Sequence, residues 1–258
     1  MARRMTTLVL AGFLTLSSCA IQSQAESPNE LQKKQTEFKT DDGITIIGDY
    51  YPPTGRAISP VAILLHMYKH DRTTWAPLVE PLHEAGFAVL AIDMRGHGQS
   101  TEPASMKLAD RVNQRDPKLF NDMHKDVQAA IKWVRTQPNV DQEMLVLVGA
   151  SVGCSVAIDT MAREASVDAI VCMTPGTKYL GVDSTEHILK TGSRPILLLA
   201  TEDERKATDT LSKSADNATG EIVESGRIHG TNMFGKVDGI EAKITAFVRD
   251  AIRKPVKD

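Results

Sequence analysis

Apolar residues along the chain fall into short dense runs, separated by stretches in which they recur every three or four positions. Val61–His66 (VAILLH), Phe87–Asp93 (FAVLAID), Met144–Val148 (MLVLV), Val167–Met173 and Pro195–Thr201 (PILLLAT) are short, continuous runs bounded by polar residues, which predicts strands buried on both faces. Glu221–Glu224 adds a shorter strand, and Asp42-Gly43 between the β-prone stretches of Phe38–Tyr51 predicts a hairpin. Between the strands the period becomes helical. Trp75–Ala85 places Leu78, Val79 and Leu82 on one face and stops at Gly86. Leu119–Gln137 does the same with Phe120, Met123, Val127, Ala130, Ile131 and Val134, and Pro138 closes it. A further helix follows Gly153 through Arg163, and Ile240, Ile244, Phe247, Val248, Ala251 and Ile252 mark the last one. Fully apolar strands alternating with helices predict the α/β class, with a mostly parallel central sheet and helices on both faces.

Composition changes this picture at one end only. Overall, 41% hydrophobic, 24% charged and 5% aromatic residues describe an ordinary globular chain of one domain without repeats. Thirty basic residues against 33 acidic ones leave a net charge of −3 with no long basic run, which excludes a dedicated nucleic-acid surface. The N-terminus differs: Arg3 and Arg4 precede the apolar run Leu8–Leu16 (LVLAGFLTL), and Ser17-Ser18-Cys19 follows. A positive segment, a short apolar core and small residues make a secretory signal, and a membrane-spanning helix would need about 20 apolar residues. Leu16-Ser17-Ser18-Cys19 resembles the lipobox of bacterial lipoprotein signals. That resemblance implies a signal peptide over residues 1–18, acylation of Cys19, and a membrane partner reached through the N-terminal lipid. Ala20 in place of aspartate then points to the periplasmic face of the outer membrane in a Gram-negative cell. Residues 19–36 (from Ala20, AIQSQAESPNELQKKQT) are polar and suit a tether, leaving 37–258 as the folded domain. The remaining cysteines, Cys154 and Cys172, lie in apolar segments and are expected as buried free thiols.

The chemistry concentrates in Gly149-Ala150-Ser151-Val152-Gly153. With Gly at roughly 7% of residues and Ser similar, G-x-S-x-G occurs by chance in about one chain in ten of this length. Here a predicted strand enters the motif and a predicted helix leaves it, which is what a nucleophile elbow requires. A serine hydroxyl needs a histidine to take its proton and an acid to orient that histidine. Thr201-Glu202-Asp203-Glu204 follows the next-to-last strand and His229-Gly230 the last. Chain order selects His229; Asp203 is the expected acid, with Glu202 and Glu204 close enough to compete.

These stretches, together with LLHMY, DMRGHGQS and AAIKWV, resemble the α/β-hydrolase superfamily over almost all of Phe38–Ile252, in its lidless esterase and dienelactone-hydrolase-like branch. The resemblance implies an α/β-hydrolase fold and two-step acyl transfer by Ser151, Asp203 and His229, with no cofactor. It also implies an oxyanion hole made by the amides of Val152 and Tyr68. Met67 stands where the family often has glycine, so the loop is either reshaped or uses the Met67 amide instead. His66, Arg95 and His97 are expected to be structural. No metal-ligand spacing is present. Tyr68 to Asp71 and Arg72 lie where they could touch substrate or simply face solvent. Between the sixth and seventh strands, Thr174–Arg194 has room only for a minimal cap, with one helix over Asp183–Lys190 that begins D-x-x-E. The expected partner is a small-molecule ester, with an amide, a perhydrolysis reaction or an idle binding site as alternatives. Oligomeric state is not encoded legibly.

Overall fold

Strands that are apolar on both faces fold stably only when helices cover both faces, and the computed structural model has that arrangement. It describes residues 31–54 and 57–253; the signal segment, Cys19 and residues 20–30 of the tether lie outside them. In chain order the first half comprises β1 (Lys34–Lys39), β2 (Thr45–Tyr51), β3 (Ser59–Leu65), α1 (Ala76–Glu84), β4 (Ala88–Ile92), α2 (Leu108–Asn113), α3 (Pro117–Asn121) and α4 (His124–Val134). The second half comprises β5 (Val140–Ala150), α5 (Val152–Arg163), β6 (Ala169–Met173), β7 (Lys178–Tyr179), β8 (Val182–Asp183), α6 (Ser184–Ile188), β9 (Ile196–Thr201), α7 (Arg205–Ser214), β10 (Ala218–Glu224) and α8 (Ile240–Arg253).

The main sheet runs β1-β2-β4-β3-β5-β6-β9-β10. Its first two strands are an antiparallel hairpin turned at Asp41-Asp42-Gly43, and β2 also pairs antiparallel with β4; every other pairing is parallel. Successive residues of β3 feed opposite cores. Val61, Ile63 and Leu65 pack with α4 and α5, while Ala62 and Leu64 pack with α1 and α8. The chain leaves β3 for β4 on one side and returns to β5 on the other. This places the topological switch at the carboxyl ends of β3 and β5, where open α/β sheets bind ligands.

Three local features differ from the sequence expectation or refine it. β1 begins at Lys34, opposite Tyr50, so strand pairing starts three residues before the expected domain boundary. The predicted helix over 119–137 is two helices, α3 and α4. Asn121 Nδ2 donates to the Pro117 carbonyl at 2.7 Å and to Gly181 O at 3.2 Å, engaging backbone acceptors at the break. The apolar face nevertheless continues across it: Leu119, Phe120, Met123 and Val127 are all buried. In the third case the D-x-x-E signal is realised. Asp183 caps α6 by accepting from the Glu186 amide at 3.1 Å.

Candidate active site

The sharp turn at the end of β5 is the centre of the site. Ser151 has φ 53° and ψ −118°, a backbone state that strains a residue with a side chain by about 1–3 kcal/mol. Its surroundings hold it there. The Ser151 amide donates to Met173 O at the end of β6 (2.9 Å), and the Ser151 carbonyl accepts the Cys154 amide as α5 starts (3.0 Å). Glycine is required on both sides for space. A Cβ on Gly149 would overlap the Gly153 carbonyl, and one on Gly153 would overlap the Leu65 carbonyl of β3. The first turn of α5 therefore sits against the loop that leaves β3. Cys154 and Cys172 beneath it are buried and free. Cys154 Sγ donates to Gly149 O (3.3 Å) and Met173 O (3.2 Å), and burial pushes its thiol pKa well up.

The loop after β3 is organised by His66. Its fully buried ring donates from Nδ1 to Met67 O (2.7 Å) and accepts the Met94 amide at Nε2 (3.0 Å), a pattern that requires the neutral tautomer. Burial, reinforced by nearby His97, lowers its pKa to about 3. The Met67 carbonyl also accepts the His70 amide at 3.1 Å. A trans peptide holds its C=O and N–H in opposite directions, so fixing Met67 O fixes the aim of the Tyr68 amide. Among the described residues that amide has no acceptor, nor has the Val152 amide in the first turn of α5.

Met67 does not need the left-handed backbone that glycine permits; the loop makes that turn at Lys69, with φ 59°. Its side chain is buried and fills the space left by Gly230, where a Cβ would overlap Met67 Sδ. The Tyr68 ring points away into aromatic packing with His97 and Phe120. Asp71 caps a short turn by accepting from the Thr73 amide (2.9 Å), and Arg72 is buried in ion pairs with Asp49 and Asp93. Both residues are structural, as are Arg95, paired with Asp126 and Asp42, and His97.

His229 follows β10 in a loop tied across the sheet top: the Gly230 amide donates to Thr174 Oγ1 (2.9 Å) and the Ile228 amide to Thr201 Oγ1 (3.2 Å). The carboxylate that meets it is Glu204, with Oε1 2.9 Å from His229 Nδ1. Asp203, the expected acid, is not brought to the histidine. In the turn of Glu202–Glu204 the Asp203 amide donates to Gly226 O (3.1 Å), and the Asp203 side chain is exposed. Glu202 turns outward to Arg205, at 2.7 Å. Glu204 comes last in this turn, where its side chain, only 13% exposed, reaches His229 beneath Arg227. An Nδ1–H held by Glu204 leaves Nε2 free to accept a proton.

Tyr179, which sequence reasoning missed, completes the site. Its ring stands edge-on to His229 with centroids 6.3 Å apart. Beside it a cleft of about 330 Å³ is lined by Thr177, Tyr179, Glu204, Lys206 and Arg227, among others. The available signal was one aromatic residue close behind Pro175-Gly176 in the short segment after β6. Among the described residues, no group of three or more His, Cys, Asp or Glu side chains is placed to hold a metal ion.

A profile of the family Hydrolase_4, described as serine aminopeptidase S33, matches residues 58–216. The chain belongs to this family. The uncharacterized protein Rv2307c of Mycobacterium tuberculosis (strain H37Rv) is 28% identical over 150 residues, covering 58% of this chain and 48% of its own. The uncharacterized protein YfhR of Escherichia coli K12 is 28% identical over 194 residues, covering 67% and 63%. The chain thus spans about half the length of the mycobacterial relative and under two thirds of YfhR. An esterase of Pyrococcus furiosus superposes with a TM-score of 0.67 at 17% identity, over 86% of this chain and 94% of that one. A dienelactone hydrolase of Anabaena variabilis gives 0.65 at 17%, over 86% and 97%. These structures share the α/β-hydrolase fold with this Hydrolase_4 member.

Two outcomes are expected. Glu204→Gln slows labelling of Ser151 by a fluorophosphonate by about 10²–10⁴-fold, because the histidine loses its orienting charge. Asp203→Asn leaves that rate within about twofold, since its exposed carboxylate is not the one bonded to His229. Labelling kinetics of the two variants check this directly. The second concerns His66, whose folded-state pKa lies below its unfolded value. Its contribution to stability is complete above pH 6.5 and is lost as pH falls toward 3, where only the unfolded chain takes the proton. Urea unfolding across that window gives a shallower pH slope for His66→Asn than for the wild type.

Proposed function

We propose that this α/β-hydrolase cleaves small carboxylic esters through a Ser151 acyl-enzyme. The observation that carries the reading is the strained Ser151 elbow at the sheet top, together with His229 held at 2.9 Å by Glu204. His229 Nε2 takes the Ser151 proton as Oγ attacks the carbonyl carbon. The oxyanion is received by the amides of Val152 and Tyr68, and the helix dipole of α5 adds to them. The protonated His229 then passes its proton to the departing alcohol, and water repeats the sequence on the acyl-enzyme. The small insertion after β6 supports a preference for short, accessible substrates: β7, β8 and α6 together add only nine residues of regular structure. The family description as serine aminopeptidase favours an amide substrate as the second reading.

The cellular setting follows from the sequence alone: lipidation at Cys19 holds the enzyme in the bacterial envelope, at the periplasmic face of the outer membrane in a Gram-negative cell. One lipid chain gives only marginal binding, so the several chains of a lipoprotein are needed for a stable anchor.

A fluorophosphonate probe on the purified protein is expected to label the wild type and leave Ser151→Ala unlabelled. An unlabelled wild type counts against any acyl-enzyme. Turnover of short acyl esters above long acyl esters and peptide amides supports the ester reading, and the reverse ranking supports the amide. Fractionation tests the anchor: Cys19→Ala should leave the membrane pellet for the soluble fraction, and retention in the pellet would sink lipidation.

A further inference from the structure

Thr174, the residue that follows β6, joins the nucleophile to the histidine through a short chain of hydrogen bonds. Its hydroxyl donates to the Met173 carbonyl at 2.8 Å, and the same carbonyl accepts the Ser151 amide at 2.9 Å. The hydroxyl oxygen in turn accepts the Gly230 amide at 2.9 Å, and Gly230 follows His229 directly. A carbonyl can only accept and an amide N–H can only donate, so these two neighbours fix the hydroxyl in one orientation. Thr174 is only 1% exposed, Gly230 is buried, and the Thr174 amide is anchored to Leu199 O of β9 at 2.7 Å. Gly230 lies directly on the elbow, where a Cβ would meet Ala150 Cβ at 3.3 Å. Thr174 holds φ 52°, a left-handed state that a β-branched side chain disfavours and a glycine adopts freely. The turn alone would favour glycine; threonine supplies what glycine lacks, a hydroxyl set between the two peptides.

Resting on the acyl-enzyme reading above, we propose that Thr174 is a positioning residue, whose hydroxyl sets the placement of His229 relative to Ser151. It acts through the two peptides that it joins. On the other side of the histidine the Ile228 amide is bound to Thr201 Oγ1 at 3.2 Å, and Glu204 orients the ring from Nδ1 at 2.9 Å. Those ties refer His229 to β9 and to the turn that follows it. The Thr174 hydroxyl adds a reference to the carbonyl that also holds the nucleophile. Proton transfer from Oγ to Nε2 requires the two atoms within hydrogen-bond reach as the attack begins. A misplacement of about 1 Å costs about 10²-fold in rate. Without the hydroxyl, the Gly230 amide loses its buried acceptor, and the loop that carries His229 shifts to satisfy it elsewhere.

Three substitutions separate the hydroxyl from the shape of the residue. Thr174→Val keeps the volume and the branching and removes the hydroxyl. Thr174→Gly also removes it but relieves the backbone, which favours folding where the valine variant fails. Thr174→Ser keeps the hydroxyl and drops the methyl. Fluorophosphonate labelling of Ser151 is expected to slow by about ten- to a hundredfold in the valine and glycine variants. In the serine variant it is expected to stay within about threefold of wild type. With an ester whose acylation limits turnover, kcat falls by the same factor and KM stays within about twofold, because substrate binding does not pass through Thr174. Melting temperatures confirm that the rates belong to folded protein. A wild-type labelling rate in Thr174→Gly overturns the proposal. So does a serine variant as slow as the valine one, which marks packing and not the hydroxyl, and so does a loss confined to KM. A wild type that neither labels nor hydrolyses the ester overturns the acyl-enzyme reading and this role with it. A wild type that does both, with indifferent valine and glycine variants, overturns this role alone.

Discussion

Everything at the sheet top depends on how closely the first turn of α5 approaches the end of β3. Only glycine at position 153 lets the helix backbone lie against the Leu65 carbonyl, and only glycine at 149 lets the chain fold back over it. Close packing leaves the connecting residue no relaxed conformation, and Ser151 accepts φ 53°. The strain is local and is held by regular structure on either side, with the Ser151 amide bound to the end of β6. The same approach sets Gly153 against the His66 carbonyl, although 87 positions separate the two residues in the chain.

Buried polar groups make the surrounding loops rigid. Asp93, fully buried at the end of β4, accepts the Arg72 and Gln99 amides (both 2.8 Å) and pairs with the Arg72 guanidinium. Burial raises its pKa in spite of these donors. Asp126 on α4 accepts both the amide and Nε of Arg95 at 2.8 Å, and burial raises its pKa to about 6 against the opposing pull of that arginine. Such pairs add little net stability over apolar packing, yet losing one partner costs about 3–5 kcal/mol. Their effect is to bind the loops after β3 and β4 to fixed positions. His66 joins the two loops through Met67 O and the Met94 amide.

The insertion after β6 is small, but it is not passive. It sets the Tyr179 ring against His229 and gives one wall to the cleft beside Glu204, and it is secured to α5 through Ser184 and Ser155. A large lid encloses substrate by moving; this segment is only a short hairpin and one helix tied to α5. The arrangement suits a hydrolase whose donors are held in place before substrate arrives.

The α/β class, the strands of the main sheet, most helices, the elbow serine and the histidine were legible in the sequence. Each rests on a local signal: apolar runs, a 3.6-residue period, glycines at fixed offsets, or chain order. The split of 119–137 into α3 and α4 was not legible, because a side chain, Asn121, engages backbone acceptors there and the apolar period continues across the break. Nor was the choice among Glu202, Asp203 and Glu204. It turns on a hydrogen bond from the Asp203 amide to Gly226, 23 positions away, which sets the direction of each side chain in that turn. Tyr179 was hidden for the same reason. Its approach to His229 depends on a two-residue hairpin and a buried serine pair, contacts between segments that have no local pattern. The sequence by itself determined which residue types stand at the ends of which strands. The tertiary structure decided which of them meet, because that depends on backbone directions set by distant partners.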